Sequence, residues 1–211
     1  MKLTVITGGC GFIGANLIKS LLATKETRIL VVDNLTSSSL DQLGNLTSYH
    51  EITDTELEIG SALQRVSFVK GDIRDEALAM SVCRGAETVV HLAASTGVIQ
   101  SIQDPLADCR INIIGTINYL EAARLNGVRR FVFASSSATL GEQIPPFHEK
   151  MVAQPKSAYG ASKLAGEAYC HAYFASFGLE TVILRFGNVY GPHSTHKNSV
   201  VAKFIKHIFS H

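Results

Sequence analysis

The sequence is short of charge and has no excess of either sign: charged residues make up 18% of its 211 positions and the formal net charge is +1. That balance gives no argument for a nucleic-acid partner or an anionic membrane surface. The few basic pairs, such as Arg129-Arg130, sit among apolar, strand-like residues rather than in basic tracts. Cysteine is scarce as well. Cys10, Cys83, Cys109 and Cys170 form no CxxC pair and no zinc-ligand spacing, so reduced, mostly buried thiols of a cytoplasmic protein are expected. His193 and His196 are three apart without a carboxylate or cysteine beside them, and no metal site is expected. No apolar run approaches the ~20 residues that cross a bilayer. Met1-Lys2 leads straight into an apolar strand, with no charged-then-apolar leader. The expectation is therefore a cytoplasmic location, with Asn45-Leu46-Thr47 a chance match to a glycosylation acceptor.

What is present is a high apolar content, 46%, arranged as short runs alternating with longer helical patterns. The runs at 3–7, 29–33, 66–70, 88–93, 130–135 and 181–184 read as strands. Those at 13–23, 111–125 and 157–177 read as helices, the last two stopped by Asn126-Gly127 and Gly178. Strands that are apolar throughout suit burial on both faces, and their alternation with helices implies parallel pairing through right-handed crossovers. The expected fold class is α/β, a doubly wound parallel sheet of the Rossmann type. Residues 36–64 break the rhythm with Ser, Thr, Asp and Glu. They read as an enlarged, exposed connection after the second strand, a lid or partner surface being the functional alternative.

The first strand ends in Thr7-Gly8-Gly9-Cys10-Gly11-Phe12-Ile13-Gly14. In a dinucleotide site of this kind Gly8 permits the tight turn, Gly11 leaves room for a pyrophosphate and Gly14 lets the helix pack closely. The helix N-terminus then offers free N–H groups to phosphate. Asp33 ends the second strand about twenty residues past the last glycine, where a carboxylate accepts from ribose hydroxyls and repels a 2′-phosphate, favouring NAD over NADP. Asp72, after the third strand, suits an adenine amino group and equally a helix N-cap.

Tyr159 and Lys163 are four apart, which puts both on one face of the last helix. A nearby ammonium and a cationic nicotinamide would favour the phenolate, letting Tyr159 take a proton from a substrate hydroxyl. Ser135-Ser136-Ser137 ends the fifth strand, at the edge where open α/β sheets hold their ligands. Polar residues simply leaving a strand are the plainer reading of that cluster.

Together, residues 7–14, His91-Leu92-Ala93-Ala94, the triple serine, residues 159–163 and Leu184-Arg185-Phe186-Gly187-Asn188-Val189-Tyr190-Gly191-Pro192 resemble the extended short-chain dehydrogenase/reductase family. Within it they are most similar to the NAD-dependent nucleotide-sugar epimerases and dehydratases, of the UDP-glucose 4-epimerase kind. The resemblance implies NAD as cofactor, a nucleotide sugar as substrate, and a homodimer formed by pairing the helices from Ile111 and Ser157. By position it implies catalysis by Ser136, Tyr159 and Lys163. It implies a cofactor groove of Gly8, Gly11, Phe12, Ile13, Gly14, Asp33, Asn34, Asp72, Ile73, Leu92, Ala93, Ala94, Asn112, Ser135, Tyr159, Lys163 and Val189. Ser137 and Asn188 would meet the sugar nucleotide, Asn188 being otherwise a turn residue before Gly191-Pro192. Family dehydratases commonly carry Asp-Glu after the catalytic Thr. Ser137-Ala138 supplies no acid there, which favours 4-epimerisation of a UDP-hexose or UDP-hexuronate through a 4-keto sugar. A 4,6-dehydratase, decarboxylase or reductase on the same scaffold stays open, as does a non-catalytic NAD-binding regulatory module. Two departures stand out. Thr139-Leu140-Gly141 replaces the family's Val-Tyr-Gly, and most of its C-terminal substrate lobe is missing. Residues 1–192 thus read as the NAD-binding domain and 193–211 as the start of a truncated substrate lobe.

Overall fold

The computed structural model describes residues 1–24, 26–53, 56–57, 63–192 and 207–208. Its strands are β1 (Lys2–Thr7), β2 (Thr27–Asp33), β3 (His50–Glu51), β4 (Val66–Lys70), β5 (Thr88–His91), β6 (Arg130–Ser136) and β7 (Glu180–Phe186). Among the described residues they form one sheet in the order β3-β4-β2-β1-β5-β6-β7, with every pair parallel. The chain starts in the middle, winds outward through β2 and β4, then returns to β1's other side for β5, β6 and β7. That reversal between β1 and β5 is the switch point at which doubly wound sheets bind ligands, outside the carboxyl ends of the strands.

Consecutive strand residues point to opposite faces, so a strand buried on both sides must be apolar at every position. Ile6, Val31 and Val90 pack with Ile18 of α1 (Phe12–Leu22) and Leu43 of α2 (Leu40–Gly44). Their neighbours Val5, Leu30 and Val89 pack on the other face with α3 (Glu76–Val82) and α6 (Gly115–Leu125), whose Tyr119 and Leu120 are fully buried. The crossover from β5 to β6 begins with α4 (Val98–Gln103) and α5 (Pro105–Cys109), continues through a wide π turn (Arg110–Ile114) and ends in α6. The long helix α7 (Ala158–Phe177) joins β6 to β7, capped by the Ser157 hydroxyl and closed by left-handed Gly178.

The expected six strands are present, with three differences. Strand β3 lies inside the connection expected to be only exposed, and two paired residues are too short to leave a periodic trace. The fourth expected strand stops at His91 rather than Ala93. The helix expected from 111 is preceded by α4 and α5, whose start is marked by Asp104-Pro105: the Asp104 carboxylate accepts from Ala107 N, and Pro occupies the first turn.

Candidate active site

The glycine loop crosses from β1 to α1 at the carboxyl edge. Gly8 has φ +69, and a Cβ there would lie 2.7 Å from Ala93 N. A Cβ on Gly14 would meet the backbone of Gly8 and Gly9 at 2.5–2.7 Å. The close packing expected of Gly14 is therefore against the loop itself rather than the sheet. A Cβ on Gly11 would meet only Gly8 O, at 3.2 Å, so its outer side is open. Gly11 also caps α1 with no side-chain bond, which leaves the helix N-terminus to an external anion. A pyrophosphate fits this cradle.

Asp33 is buried, and its carboxylate ties the loop to the chain after β2. Oδ2 accepts from Cys10 N at 3.0 Å, while Oδ1 accepts from Leu35 N and Ser38 Oγ, both at 2.9 Å. A carboxylate offers about four acceptor directions, so Asp33 shapes the loop first and keeps about one direction for a ribose hydroxyl. Asn34 and Asp72 are brought together at 3.1 Å. Asp72 also accepts from Arg74 through backbone N, Nε and Nη2, and the Arg74 bonds hold its carboxyl well below the usual carboxylate range. The N-cap of α3 is Asp75, not Asp72, because only Asp75 reaches the N–H of the turn, at Leu78. Ile73 turns its side chain into the core against Gly115, and its carbonyl accepts from Asn118.

Leu92 to Ala94 leave β5 beside the glycine loop, pinned by Leu92 N to Thr7 O and Ala93 N to Thr7 Oγ1. His91 lies fully buried between two hydroxyls, Nδ1 on Thr7 Oγ1 at 3.0 Å and Nε2 on Thr116 Oγ1 at 3.3 Å. Thr116 spends its proton on Asn112 O, so His91 Nε2 donates and Nδ1 accepts. Burial first, and then the Lys163 charge, push the imidazole down to about 3, which keeps it neutral. Asn112 sits in the π turn with its amide locked to Ser95 N and O; its Nδ2 also reaches Asp108 Oδ1 at 2.9 Å and Ser162 Oγ at 3.2 Å.

Tyr159 is held in the first turn of α7 by Ser101 Oγ, which accepts from its N–H, and by Ser162 Oγ, which donates to its carbonyl. Its phenol lies beside the hydroxyl of Ser136, whose Oγ accepts from Ala138 N. Burial, the largest influence, holds the phenol above its ordinary value; the Ser136 hydroxyl opposes this and the Asp108 charge reinforces it. Lys163, four residues on, is buried. Its Nζ donates to Ala134 O at 2.9 Å and lies 4.9 Å from the centre of the Phe133 ring. That bond uses one of the three ammonium donors, and none of the described hydrogen bonds joins Nζ to the phenol. Burial brings Lys163 down to about 8.

Ser135 is not brought into the groove by its side chain. Its hydroxyl donates to Glu167, a buried carboxylate that also receives Arg185 Nε at 2.9 Å and Nη2 at 2.7 Å. Ser137 opens a short turn (Ser137–Thr139) and is partly exposed. Asn188 and Val189 lie exposed past β7, on a stretch tied to α1 where Asn16 Nδ2 donates to Pro192 O at 2.9 Å. Sequence reasoning missed Asp108 and Glu167. Each is four residues from a chosen site residue, Asn112 and Lys163 respectively, and that spacing on a buried helix face was the available signal. Among the described residues no three His, Cys, Asp or Glu side chains cluster as metal ligands, and His193 and His196 lie outside them. No helix among the described residues is long and apolar enough to cross a membrane.

Comparison with known proteins agrees with this geometry. A putative UDP-glucose 4-epimerase of Methanocaldococcus jannaschii is 34% identical over 206 residues, 95% of this chain and 61% of the relative. A dTDP-glucose 4,6-dehydratase of Streptomyces niveus is 34% identical over 196 residues, 90% of this chain and 54% of the relative. The solved UDP-N-acetylglucosamine 4-epimerase of Methanobrevibacter ruminantium M1, in complex with UDP-N-acetylmuramic acid, superposes with a TM-score of 0.85 at 30% identity, over 99% of this chain and 63% of that one. The chain thus spans about three fifths of the length of these proteins. The model of the NAD dependent epimerase/dehydratase family matches residues 4–211, and with the glycine cradle, Asp33 and the Ser136–Tyr159 pair in place, the chain belongs to that family.

Proposed function

We propose that this chain is the cofactor-binding and proton-transfer part of an NAD-dependent nucleotide-sugar 4-epimerase acting on a UDP-hexose or UDP-hexuronate. The observation that carries the reading is the Tyr159 phenol beside the Ser136 hydroxyl at the carboxyl edge of the sheet, across from the glycine cradle. Gly8, Gly11, Phe12, Ile13 and Gly14 hold the pyrophosphate. Asp33 and Asn34 take the ribose, and Asp72 with the backbone of Ile73 takes the adenine. Leu92, Ala93, Ala94 and Val189 line the groove, with Asn112 and Ser135 behind it. When bound, NAD⁺ supplies an acceptor for the C4 hydride, its later return, and a positive charge. Tyr159 removes the C4 hydroxyl proton and later restores it; Ser136 donates to the same oxygen; Lys163 adds a cation behind the phenol. Ser137 and Asn188 orient the sugar.

Residues 1–192 act as the NAD-binding domain; the start of a substrate lobe expected at 193–211 lies, apart from 207–208, outside the described residues. A homodimer is supported by the apolar residues exposed on α4 to α7: Ile99, Leu106, Ile114, Tyr169 and Phe177. A cytoplasmic location is supported by four unpaired cysteines. The dehydratase relative favours a second reading on the same site, against which stands the absence of an acid at Ser137-Ala138.

Calorimetry with NAD⁺ tests the cofactor half: the folded chain binds it, and absence of heat sinks the reading. Sugar NMR after incubation with UDP-glucose or UDP-glucuronate, repeated on a longer chain carrying the substrate lobe, distinguishes epimerisation from dehydration. Tyr159→Phe abolishes conversion while NAD⁺ binding persists; unaltered turnover removes Tyr159 from its role.

A further inference from the structure

We propose that Asp108 is a positioning residue for the Tyr159–Lys163 pair: the buried counter-charge of the Lys163 ammonium and the anchor of Asn112. The proposal rests on the reading of that pair as the proton-transfer site.

Asp108 lies at the end of α5, just before the π turn, and is 3% exposed. A buried charge is tolerated where it is paired and hydrogen-bonded. Asp108 Oδ1 accepts from Asn112 Nδ2 at 2.9 Å, but Oδ2 has no donor among the described residues. Lys163, on α7, is also 3% exposed. Its ammonium has three donors, of which one is placed, on Ala134 O. Helices α5 and α7 pack together. A buried acid with one oxygen unpartnered and a buried ammonium with one placed donor thus sit on two helices that pack together, with no direct ion pair between them.

The other titratable groups facing Lys163 do not supply the negative charge. The Cys170 thiol, on the same helix, is pushed up to about 12 by burial and stays neutral. His91, from β5, is neutral. Tyr159 is held above its ordinary value. Burial drives Lys163 toward the neutral amine, and Asp108 is the foremost influence opposing it. The same carboxylate reaches Tyr159 by bonds: Asp108 holds Asn112 Nδ2, which reaches Ser162 Oγ, which donates to Tyr159 O. Asp108 thus fixes both the charge state behind the phenol and the turn that carries it.

The test reads Lys163 directly and needs neither NAD nor sugar. In the 211-residue chain with ¹³C-labelled lysine, the Lys163 Cε resonance is identified by its loss in Lys163→Met and followed against pH. The wild-type midpoint is expected at about 8. Asp108→Asn lowers it by about one pH unit or more. Asp108→Glu keeps it near the wild-type value, and Glu167→Gln, at the buried acid of α7 itself, does not move it. Asp108→Ser serves as the neutral variant if Asp108→Asn does not fold. An unmoved Lys163 midpoint in a folded neutral variant overturns the proposal and leaves Asp108 as an acceptor for Asn112 alone. A lowered midpoint supports it, whatever the sugar assay says of the proton-transfer reading. A sugar assay whose pH profile ignores the Lys163 shift sinks that reading separately.

Discussion

Burying Lys163 costs stability, and the cost has a pH signature. The group titrates at about 8 in the folded chain against 10.5 when exposed. The unfolded chain therefore binds more protons between those values, and stability rises with pH across that window. Below about pH 8 the penalty is fully present; it is relieved as pH climbs toward 10.5. Linkage gives a penalty of about 3 kcal/mol at pH 7 and about 2 kcal/mol at pH 9. Lys163→Met removes it while keeping an unbranched side chain over the Phe133 ring. The lost bond to Ala134 O takes back about 1 kcal/mol. The variant should then be more stable than wild type by about 2 kcal/mol at pH 7, and by about 1 kcal/mol less than that at pH 9. Urea unfolding of both proteins at pH 7, 8 and 9 measures the difference, and the titration of Cys10, Cys83 and Cys170, which are pushed up to about 12, cancels between them. A variant less stable than wild type, with a gap that does not change from pH 7 to 9, would refute the reasoning.

Two other perturbations act on different parts of the site. Glu167→Ala leaves the Arg185 guanidinium and the Ser135 hydroxyl without their shared acceptor and should destabilise by about 3 kcal/mol; a loss below about 1 kcal/mol in urea unfolding would mean that Arg185, with its side chain 23% exposed, is resolvated by water. Gly14→Ala places a Cβ 2.5 Å from Gly9 Cα and must shift the loop, so NAD⁺ affinity should fall by about tenfold or more in calorimetry. Gly44→Ala, where the nearest atom is 3.8 Å away on Tyr49, should leave affinity unchanged, and equal effects at the two positions would remove the steric argument.

The fold was legible because its signals are local. Strands buried on both faces must be apolar throughout, and Val31-Val32 and Val89-Val90 read that way without any tertiary information. The glycine loop was legible for the same reason: a left-handed turn and a backbone approach leave no choice of residue at Gly8 and Gly14. The direction of a long side chain is different. Helical spacing put Tyr159 and Lys163 on one face, but whether an ammonium turns to a phenol or to a strand carbonyl depends on what β6 presents beneath it. The direction of the Ser135 hydroxyl is set in the same way. A hydroxyl at a strand end suits a groove, yet alternation along β6 sends it inward, where Glu167 waits.

The buried polar residues then make sense as one connected object rather than as separate site members. From Thr7, the last residue before the glycine loop, hydrogen bonds run through His91 and Thr116 to Asn112, and from Asn112 through Ser162 to the carbonyl of Tyr159. Each of these groups would be expensive to bury alone, and none is left unsatisfied within the chain of bonds. A wide turn in the helix is what lets it close: at Arg110–Ile114 the Asn112 side chain can face Ser95, Asp108 and Ser162 while its carbonyl takes Thr116. The consequence is positional. The glycine loop and the turn that carries the phenol belong to segments about 150 residues apart, yet a displacement of either must break a buried hydrogen bond costing about 1–3 kcal/mol. In the proposed reaction the phenol must stay within hydrogen-bond reach of its target, and this network ties its position to the glycine loop.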